Sequence, residues 1–269
     1  MKIAIGAAYD GAGFEGWQSQ PSGNTVQDHL EYALGRIAGA PVRIVGAGRT
    51  DAGVHSCAQV AHFESDTERP TSAWVRGANA ALPAAIAVQW AVAVPQAFHA
   101  RYSATARRYR YVLYSHPVRP SLAASRCGWY HAPLDLESMR RAATTLVGEH
   151  DFSAFRSSQC QAKTPVRTML SIEISRRGSY LIFDFSANAF LHHMVRNMVG
   201  SLVYVGAGKH SPEWIEDVLT SRDRRLAAPT MAAAGLYLVA VSYAEEWGLP
   251  AFPGMMPFML SGESLEQDA

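Results

Sequence analysis

The alternation of apolar and polar positions predicts a chain in which strands and helices are interspersed. Residues 2–9 are apolar at most positions and read as a strand. A helix then begins at Thr25, where Asp28 follows in a capping-box arrangement, and Gly39 ends it. In the rest of this half, the pattern predicts a helix over 72–80 and strands over 42–45, 58–63, 86–93 and 107–114.

The second half of the chain shows the same mixture of elements. An apolar stripe predicts a helix from Leu136 to Val147, with Gly148 as its stop. A longer helix is predicted over 190–205, and Ser211-Pro212 opens a short one. Strands are predicted over 168–175, 180–186 and 235–241.

Hairpin-type connections predict an α+β fold with a mainly antiparallel sheet and helices packed on it. The similar content of the two halves is compatible with two ferredoxin-like lobes. We therefore divide the chain into an N-terminal lobe over 1–105, a C-terminal lobe over 106–246 and a tail over 247–269. The prolines and glycines of that last segment predict an irregular structure.

The bulk composition predicts a globular protein of the cytoplasm. With 269 residues, of which 48% are apolar and 17% charged, the chain can bury a sizeable core. No apolar run approaches the length of a membrane span, and the first residues do not resemble a secretion signal. The three cysteines lack metal-ligand spacing and read as reduced thiols.

Charge is unevenly distributed along a chain whose net charge is only +1. From Arg69 through Leu134 there is no acid, whereas arginine recurs; from Glu213 onward, acids outnumber bases. Arginine matches phosphates and stacks on bases better than lysine does, so the basic middle predicts a nucleic-acid footprint. A GC-rich coding bias would explain the excess of arginine over lysine, but not the missing acids.

The most informative segment is Gly46-Ala-Gly-Arg-Thr-Asp-Ala-Gly-Val-His55. Its glycines predict a tight turn between two strands, where a ligand can approach the backbone closely. Arg49 beside Asp51 would keep that acid ionised when water is excluded. The segment therefore presents one charged aspartate on a turn. The alternative is a polar hairpin whose Arg49 and Asp51 merely pair at the surface.

Motifs in a fixed order along the chain resemble those of the tRNA pseudouridine synthase A family. Besides Gly48-Arg-Thr-Asp-Ala-Gly-Val-His55, they are Asp10-Gly-x-x-Phe-x-Gly-Trp-Gln18, Phe98-His-Ala-Arg101, Ala106-Arg-Arg-Tyr-Arg-Tyr111, Asp151-Phe-x-x-Phe155, Asn188-Ala-Phe-x-His-His-Met-Val-Arg-Asn197 and Gly235-Leu-Tyr-Leu238. A lone Gly-Arg-Thr-Asp would be weak evidence for this family, but the ordered set of motifs is strong evidence because it covers about residues 2–243.

The resemblance implies an activity and a set of residues. The activity is the isomerisation of uridine to pseudouridine at positions 38, 39 and 40 in the anticodon stem-loop of tRNAs. Asp51 matches the catalytic aspartate, and substrate contacts fall on Arg49, Tyr109, Arg196 and Leu236. The resemblance also implies that Arg196 pairs with the aspartate. RNA contacts fall on Phe98, His99, Ala100, Arg101, Tyr102, Gln159, Cys160, Gln161, Ala162 and Lys163.

The resemblance also implies the pseudouridine synthase fold, in which the two lobes share one sheet, and a homodimer that binds tRNA without a membrane. The apolar stretches 78–94 and 181–190 are candidate sources of its interface, although either could equally be buried sheet. The reaction needs neither a redox step nor an energy source, so no cofactor is expected. The carboxylate could attack C1′ of the ribose or remove a sugar proton, and the residues leave both steps open.

Several readings compete with these assignments. Tyr109 and Tyr111 alternate onto one side of a strand, which fits an ordinary core strand as well as a site. His192 and His193 are adjacent, and on a helix they would diverge by about 100°, so no metal site is expected. A catalytically silent RNA-binding module would use the same basic face. A glycosidase or nucleotide hydrolase would need two paired carboxylates.

Overall fold

We describe residues 1–250 of the computed structural model, so most of the predicted tail lies outside the described residues. Ten strands and five helices make up the regular structure of this part. The strands are β1 (Lys2–Tyr9), β2 (Val45–Gly46), β3 (His55–Glu64), β4 (Ile86–Val94), β5 (Ala104–Ser115), β6 (Gly128–Tyr130), β7 (Gly148–Asp151), β8 (Val166–Arg177), β9 (Tyr180–Ala187) and β10 (Leu236–Tyr243). The helices are α1 (Val26–Ala38), α2 (Thr71–Ala81), α3 (Leu136–Thr144), α4 (Met194–Gly206) and α5 (Trp214–Ser221).

The strands form one continuous sheet in the order β4-β1-β3-β10-β5-β9-β8-β7, with β2 paired to β3 and β6 paired to β5. All pairings are antiparallel except those of β10 with β3 and of β5 with β6. The α+β class and the mainly antiparallel sheet are therefore confirmed. No helix within residues 1–250 is long and apolar enough to cross a membrane.

Helices cover the sheet through separate hydrophobic clusters in the two halves. α1 and α2 bury apolar side chains against β1, β3 and β4, whereas α3, α4 and α5 pack with β5, β8 and β9. This separation accords with two lobes, whose boundary at 105/106 stays a prediction. The candidate interface stretch 181–190 lies mostly in β9, where Leu181, Phe183 and Phe185 are buried in the sheet.

The predicted start of α1 is confirmed by its cap. The Thr25 hydroxyl accepts a hydrogen bond from the Asp28 N–H at 3.2 Å, and Asp28 Oδ2 accepts one from that hydroxyl at 2.6 Å. Gly39 takes a left-handed conformation with φ of 72°, which a residue without a Cβ adopts at low cost. Local chemistry thus defines both ends of this helix.

The predicted ends of two other helices were wrong. α3 ends at Thr144 because the chain turns there to form β7, which pairs with β8 and begins at Gly148 with φ of 112°. α4 begins at Met194 rather than at 190, because His193 has φ of 64° and cannot belong to a right-handed helix. The residues just before α4 are therefore a turn.

A short 3-10 turn at Gly11–Gly13 lies against the turn that carries Asp51. The Gly11 N–H donates to His55 Nδ1 at 3.0 Å. A Cβ added at Gly11 would lie 2.0 Å from the carbonyl oxygen of Val54, whereas one added at Gly13 would meet nothing within 4 Å. Backbone contact therefore requires glycine at the first position only.

We predict that Gly11→Ala lowers the free energy of unfolding by about 1–3 kcal/mol or more, because the new methyl group must displace backbone. Gly13→Ala, in the same turn, is the matched control. It should leave stability unchanged or raise it by about 0.4–1 kcal/mol, because it restricts the unfolded chain. Urea denaturation of both variants measures this difference, and equal midpoints would contradict the close packing of Gly11 against Val54.

Candidate active site

Asp51 lies in the turn between β2 and β3, and neighbouring segments hold this turn from several sides. The Trp17 N–H donates to the Thr50 carbonyl at 2.9 Å, and the Val54 N–H donates to the Asp51 carbonyl at 3.1 Å. The Thr50 hydroxyl is hydrogen-bonded to the Tyr9 hydroxyl at 2.8 Å. The aspartate is thus presented on a fixed backbone, as the glycine-rich motif predicted.

A groove with a volume of about 1030 Å³ runs past Asp51 and takes its walls from both halves of the chain. Ten of the residues predicted for the site line it: Arg49, Asp51, Arg101, Tyr109, Gln159, Cys160, Gln161, Ala162, Arg196 and Leu236. Five others, Phe98, His99, Ala100, Tyr102 and Lys163, do not line it. The substrate-contact set inferred from the resemblance is therefore gathered at one place.

Asp51 is surrounded by nitrogen groups from the first turn of α4 and from the residues just before it. Arg196 Nη1 lies 3.0 Å from Asp51 Oδ2, and Arg196 Nε donates to the Met231 carbonyl at 2.7 Å. His192 Nε2 lies 3.2 Å from Oδ1 of the aspartate, and His193 Nε2 lies 3.4 Å from Oδ2. The guanidinium, fixed by its second bond, supplies the counter-charge to the carboxylate.

The sequence interpretation that Arg49 pairs with Asp51 was wrong. The ion pairs of Asp51 within residues 1–250 are those with Arg196 and the two histidines. Arg49 Nη1 instead donates to Gln161 Oε1 at 3.1 Å, across the groove. This bond joins the motif turn to the loop 159–163, so two predicted RNA-contacting segments meet beside the aspartate.

The expectation that His192 and His193 diverge was also wrong, because both precede α4. Their ring centroids lie 4.0 Å apart, and both rings face Asp51. Burial lowers the pKa of His193; Asp51 opposes this effect, whereas His192 and Arg196 add to it. The contact of His193 Nε2 with the carboxylate at 3.4 Å is one that sequence reasoning missed.

The side chains of Asp51, His192 and His193 have the spacing of a metal-binding trio, with ligand atoms within 4.8 Å of one another. Arg196 Nη1 contacts Asp51 Oδ2, the oxygen that His193 also faces. A guanidinium at 3.0 Å would repel a second positive charge, so the donor set fits a hydrogen-bonded carboxylate better than a metal centre.

Tyr109 differs from its neighbour Tyr111 in what its hydroxyl meets. Both side chains are buried in the C-terminal core, as alternation along β5 predicted. The Tyr111 hydroxyl donates to the Ala232 carbonyl at 2.9 Å, whereas the Tyr109 hydroxyl has no hydrogen-bond partner in residues 1–250. The hydroxyl of Tyr109 points toward Gly48 of the motif, and burial raises the pKa of this tyrosine.

Two apolar side chains complete the surroundings of Tyr109. The ring of Phe190 meets the Tyr109 ring edge-on, with centroids 5.0 Å apart. Leu236 is buried at the start of β10 and lines the groove. A flat apolar group entering the groove would find an aromatic face, an aliphatic wall and the carboxylate close together.

The segment 98–102 divides into an anchor and an exposed part. Phe98 and Ala100 are fully buried, and the Ala100 N–H donates to His62 Nδ1 at 3.1 Å. Burial lowers the pKa of His62 to about 4, which keeps this nitrogen an acceptor. Tyr102 is 77% exposed and Arg101 is exposed as well, so side-chain contact with RNA through this segment is available to these two.

Arg107 is a positioning residue that sequence reasoning counted only as part of the basic middle. Its guanidinium is buried and donates to the carbonyls of Ala47 at 3.1 Å, Arg101 at 2.5 Å and Asn188 at 2.9 Å, as well as to that of Ala104. One guanidinium thereby binds the motif turn at Ala47, the segment 98–102 and Asn188, which precedes α4. Because Arg107 and Arg108 are neighbours on β5, their side chains point to opposite faces of the sheet. This alternation was the sequence signal that one of them could be buried.

Comparison with known proteins agrees with this geometry. A family model described as tRNA pseudouridine synthase matches residues 5–103 and 142–244. Proteins named tRNA pseudouridine synthase A from Aromatoleum aromaticum and Dechloromonas aromatica are 57% and 56% identical over 250 residues, covering 93% of this chain and 95% of each relative. The protein of that name from Burkholderia cenocepacia is 56% identical over 93% of both chains. These matches span both halves of the groove, and the chain belongs to the tRNA pseudouridine synthase family.

Proposed function

We propose that this protein isomerises uridine to pseudouridine at positions 38, 39 and 40 in the anticodon stem-loop of tRNAs, with Asp51 as the catalytic carboxylate and without a cofactor. The observation that carries the proposal is the Asp51–Arg196 contact at the foot of a groove with an aromatic wall. The names of its relatives support tRNA as the substrate, and the residues around Asp51 support its role as the catalytic carboxylate.

The reaction breaks the bond between ribose C1′ and uracil N1 and makes a bond between C1′ and C5. The proton on C5 is lost and N1 gains one, so the balance needs no other reactant. Asp51 would act at the sugar, where a charged carboxylate can either attack C1′ or take a proton. Arg196 and the two histidines would hold its oxygens in place.

The remaining groove residues have roles that follow from their surroundings. Tyr109 would stack on the base and could move a proton through its unbonded hydroxyl. Leu236 would close the apolar side of the pocket. Arg49 stands at the exposed mouth of the groove, where it can occupy the space that the target base leaves in the stem.

A hydrolase with two paired carboxylates fits the groove less well. Among the described residues that line the groove, Glu15 is the other acid, and its Oε2 accepts a hydrogen bond from the Ser22 hydroxyl at 2.7 Å. Asp51 alone of these two acids contacts Arg196. One acid held by cations fits an isomerase that acts through a single carboxylate.

We predict that Asp51→Asn lowers pseudouridine formation by more than about a thousandfold, because the amide can neither attack C1′ nor take a proton. Unfolding free energy should change by about 1 kcal/mol or less, because the side chain is partly exposed. Asp66→Asn, on an exposed acid away from the groove, is the control. The assay counts pseudouridine in anticodon stem-loop RNA, and near-normal turnover by Asp51→Asn would refute the assignment. RNA binding without product in the wild-type protein would support the silent RNA-binding module.

Tyr109→Phe tests the hydroxyl apart from the ring. Turnover should fall by about a hundredfold or more if the hydroxyl transfers a proton, while RNA affinity stays unchanged. Tyr111→Phe is the matched control: it should lose about 1 kcal/mol of stability with its bond to Ala232 and keep its turnover. Normal single-turnover rates for Tyr109→Phe would mean that this tyrosine serves only as a stacking surface.

A homodimer in the cytoplasm is part of the proposal and is supported by the resemblance. Apolar side chains exposed around β6 are candidates for the contact, namely Val118, Trp129 and Leu122, of which Leu122 is 100% exposed. A two-fold pair would lengthen the surface available to a tRNA.

Sedimentation equilibrium should show a dimer at micromolar protein in both low and high salt, because an apolar contact is little affected by ions. Leu122→Asp should shift the protein toward monomer, whereas Leu170→Asp, which changes another exposed leucine on β8, should not. A monomeric wild-type protein in both salts would rule the dimer out.

A further inference from the structure

A second cavity, of about 690 Å³, lies beside the groove and is rich in arginine. His193 lines both spaces, and its Nε2 lies 3.4 Å from Asp51 Oδ2. The arginines on the cavity wall are Arg156, Arg222, Arg224 and Arg225. None of these arginines lines the groove, so the chemistry at Asp51 assigns the cavity no role.

The cavity carries a net positive charge. Asp223 is the one acid among its described lining residues, and it pairs with Arg225 at 2.6 Å. Arg222 lies 3.4 Å from Asp151, which stands next to the cavity. Arg156 has no hydrogen-bond partner for its guanidinium within residues 1–250. Four arginines against two acids leave the space suited to an anion.

Arg224 forms the fixed base of this cluster. Its guanidinium donates to Asn197 Oδ1 at 3.0 Å, to Thr230 Oγ1 at 3.1 Å and to the Ala227 carbonyl at 3.2 Å. The bond to Asn197 ties the cavity wall to α4, the helix that also carries Arg196. Arg224 is therefore structural, and the Nε and Nη2 groups of Arg225 are bonded to Asp223, so the guanidinium groups available to a ligand are those of Arg156 and Arg222.

Arg222 occupies a backbone conformation that suits glycine. It ends α5 with φ of 55°, in the left-handed region that costs an ordinary residue about 1 kcal/mol or more. Its ion pair with Asp151 is exposed and long, and such pairs contribute little stability. The folded protein thus gains little from an arginine here, which suggests a gain on binding.

We propose that this cavity, the arginine pocket, binds the phosphodiester backbone of the RNA next to the target uridine. The inference rests on the proposed function. A nucleotide that leaves its stack rotates about its backbone, so the flanking phosphates must be held while the base enters the groove. Guanidinium forks match phosphate oxygens with two parallel hydrogen bonds. The shared His193 places this grip directly beside Asp51.

Substitutions test the pocket first. Arg156→Gln and Arg222→Gly should each lower kcat/KM on anticodon stem-loop RNA by about tenfold, the equivalent of about 1.4 kcal/mol. The salt dependence of binding should flatten by about 0.7–0.9 for each phosphate that the variant no longer neutralises. Arg36→Gln, an exposed arginine of α1 that lines neither space, is the matched control and should match wild type.

Thermal unfolding separates binding from folding. Arg222→Gly should unfold at the wild-type temperature or above it, because glycine adopts the left-handed conformation freely. A loss of turnover together with retained or raised stability is the pattern expected of a ligand-binding arginine. A destabilised Arg222→Gly that binds RNA with the wild-type salt slope would show a structural role instead and would overturn the proposal.

Neutral linkages in the RNA identify the phosphate. Stem-loops that carry one methylphosphonate at successive positions around the target uridine should each be assayed with wild type and Arg156→Gln. At one linkage, the methylphosphonate should lower kcat/KM of the wild-type protein by about tenfold, whereas it should lower kcat/KM of Arg156→Gln no further. Strictly additive losses at every linkage would mean that the pocket does not contact the backbone.

The outcome for the wild-type protein separates the two claims. If it forms no pseudouridine in the unmodified stem-loop, the proposed function fails. If it does, and Arg156→Gln and Arg222→Gly match Arg36→Gln in turnover and salt slope, only the pocket inference fails. Free pyrophosphate provides a last comparison. If it inhibits the wild-type protein but not Arg156→Gln or Arg222→Gly, and both variants turn over RNA normally, the pocket is a site for a small anion. That result would likewise overturn an RNA-backbone site.

Discussion

The pairing of β10 between β3 and β5 is the interaction on which the rest of this structure depends. β10 lies antiparallel to β5 along most of its length, but it meets β3 in only two parallel residue pairs, Tyr237 with His55 and Leu238 with Ser56. The Ser56 hydroxyl reinforces the junction by donating to the Leu238 carbonyl at 3.2 Å. Because Asp51 comes from one half of the chain and its donors from the other, the groove exists only when this junction is formed.

Buried positive charge supports the same arrangement from within. Burial lowers the pKa of Arg107, and a guanidinium taken out of water is costly unless its donors are satisfied. Here backbone carbonyls from separate segments satisfy them, so the charge links the walls of the groove rather than attracting a ligand. The basic middle of the chain is therefore not one uniform surface: Arg110 is also paired, with Asp184 at 2.8 Å.

Local chemistry explains which features could be predicted from the sequence. The cap at Thr25 and the glycine-rich turn around Asp51 depend on neighbouring residues, and both were predicted correctly. The partner of Asp51 could not be read from spacing, because Arg196 is 145 residues away. Only the family resemblance implied this pair, and the structure confirms it. The predicted start of α4 was wrong for a different reason. Nothing in the apolar pattern signals the left-handed conformation of His193, which turns both histidines toward the carboxylate. The burial of Arg107 depends on tertiary contacts in the same way.

The position of β10 near the end of the described chain has a consequence for synthesis on the ribosome. Strands β1 to β9 emerge first, and until residues 236–243 follow, the parts of β3 and β5 that pair with β10 stay unpaired. Open edges of this kind invite pairing with other chains, so the interval before β10 arrives is the period of greatest aggregation risk. Nascent chains in that interval also lack a complete groove, and RNA therefore meets a working site only after translation has passed β10.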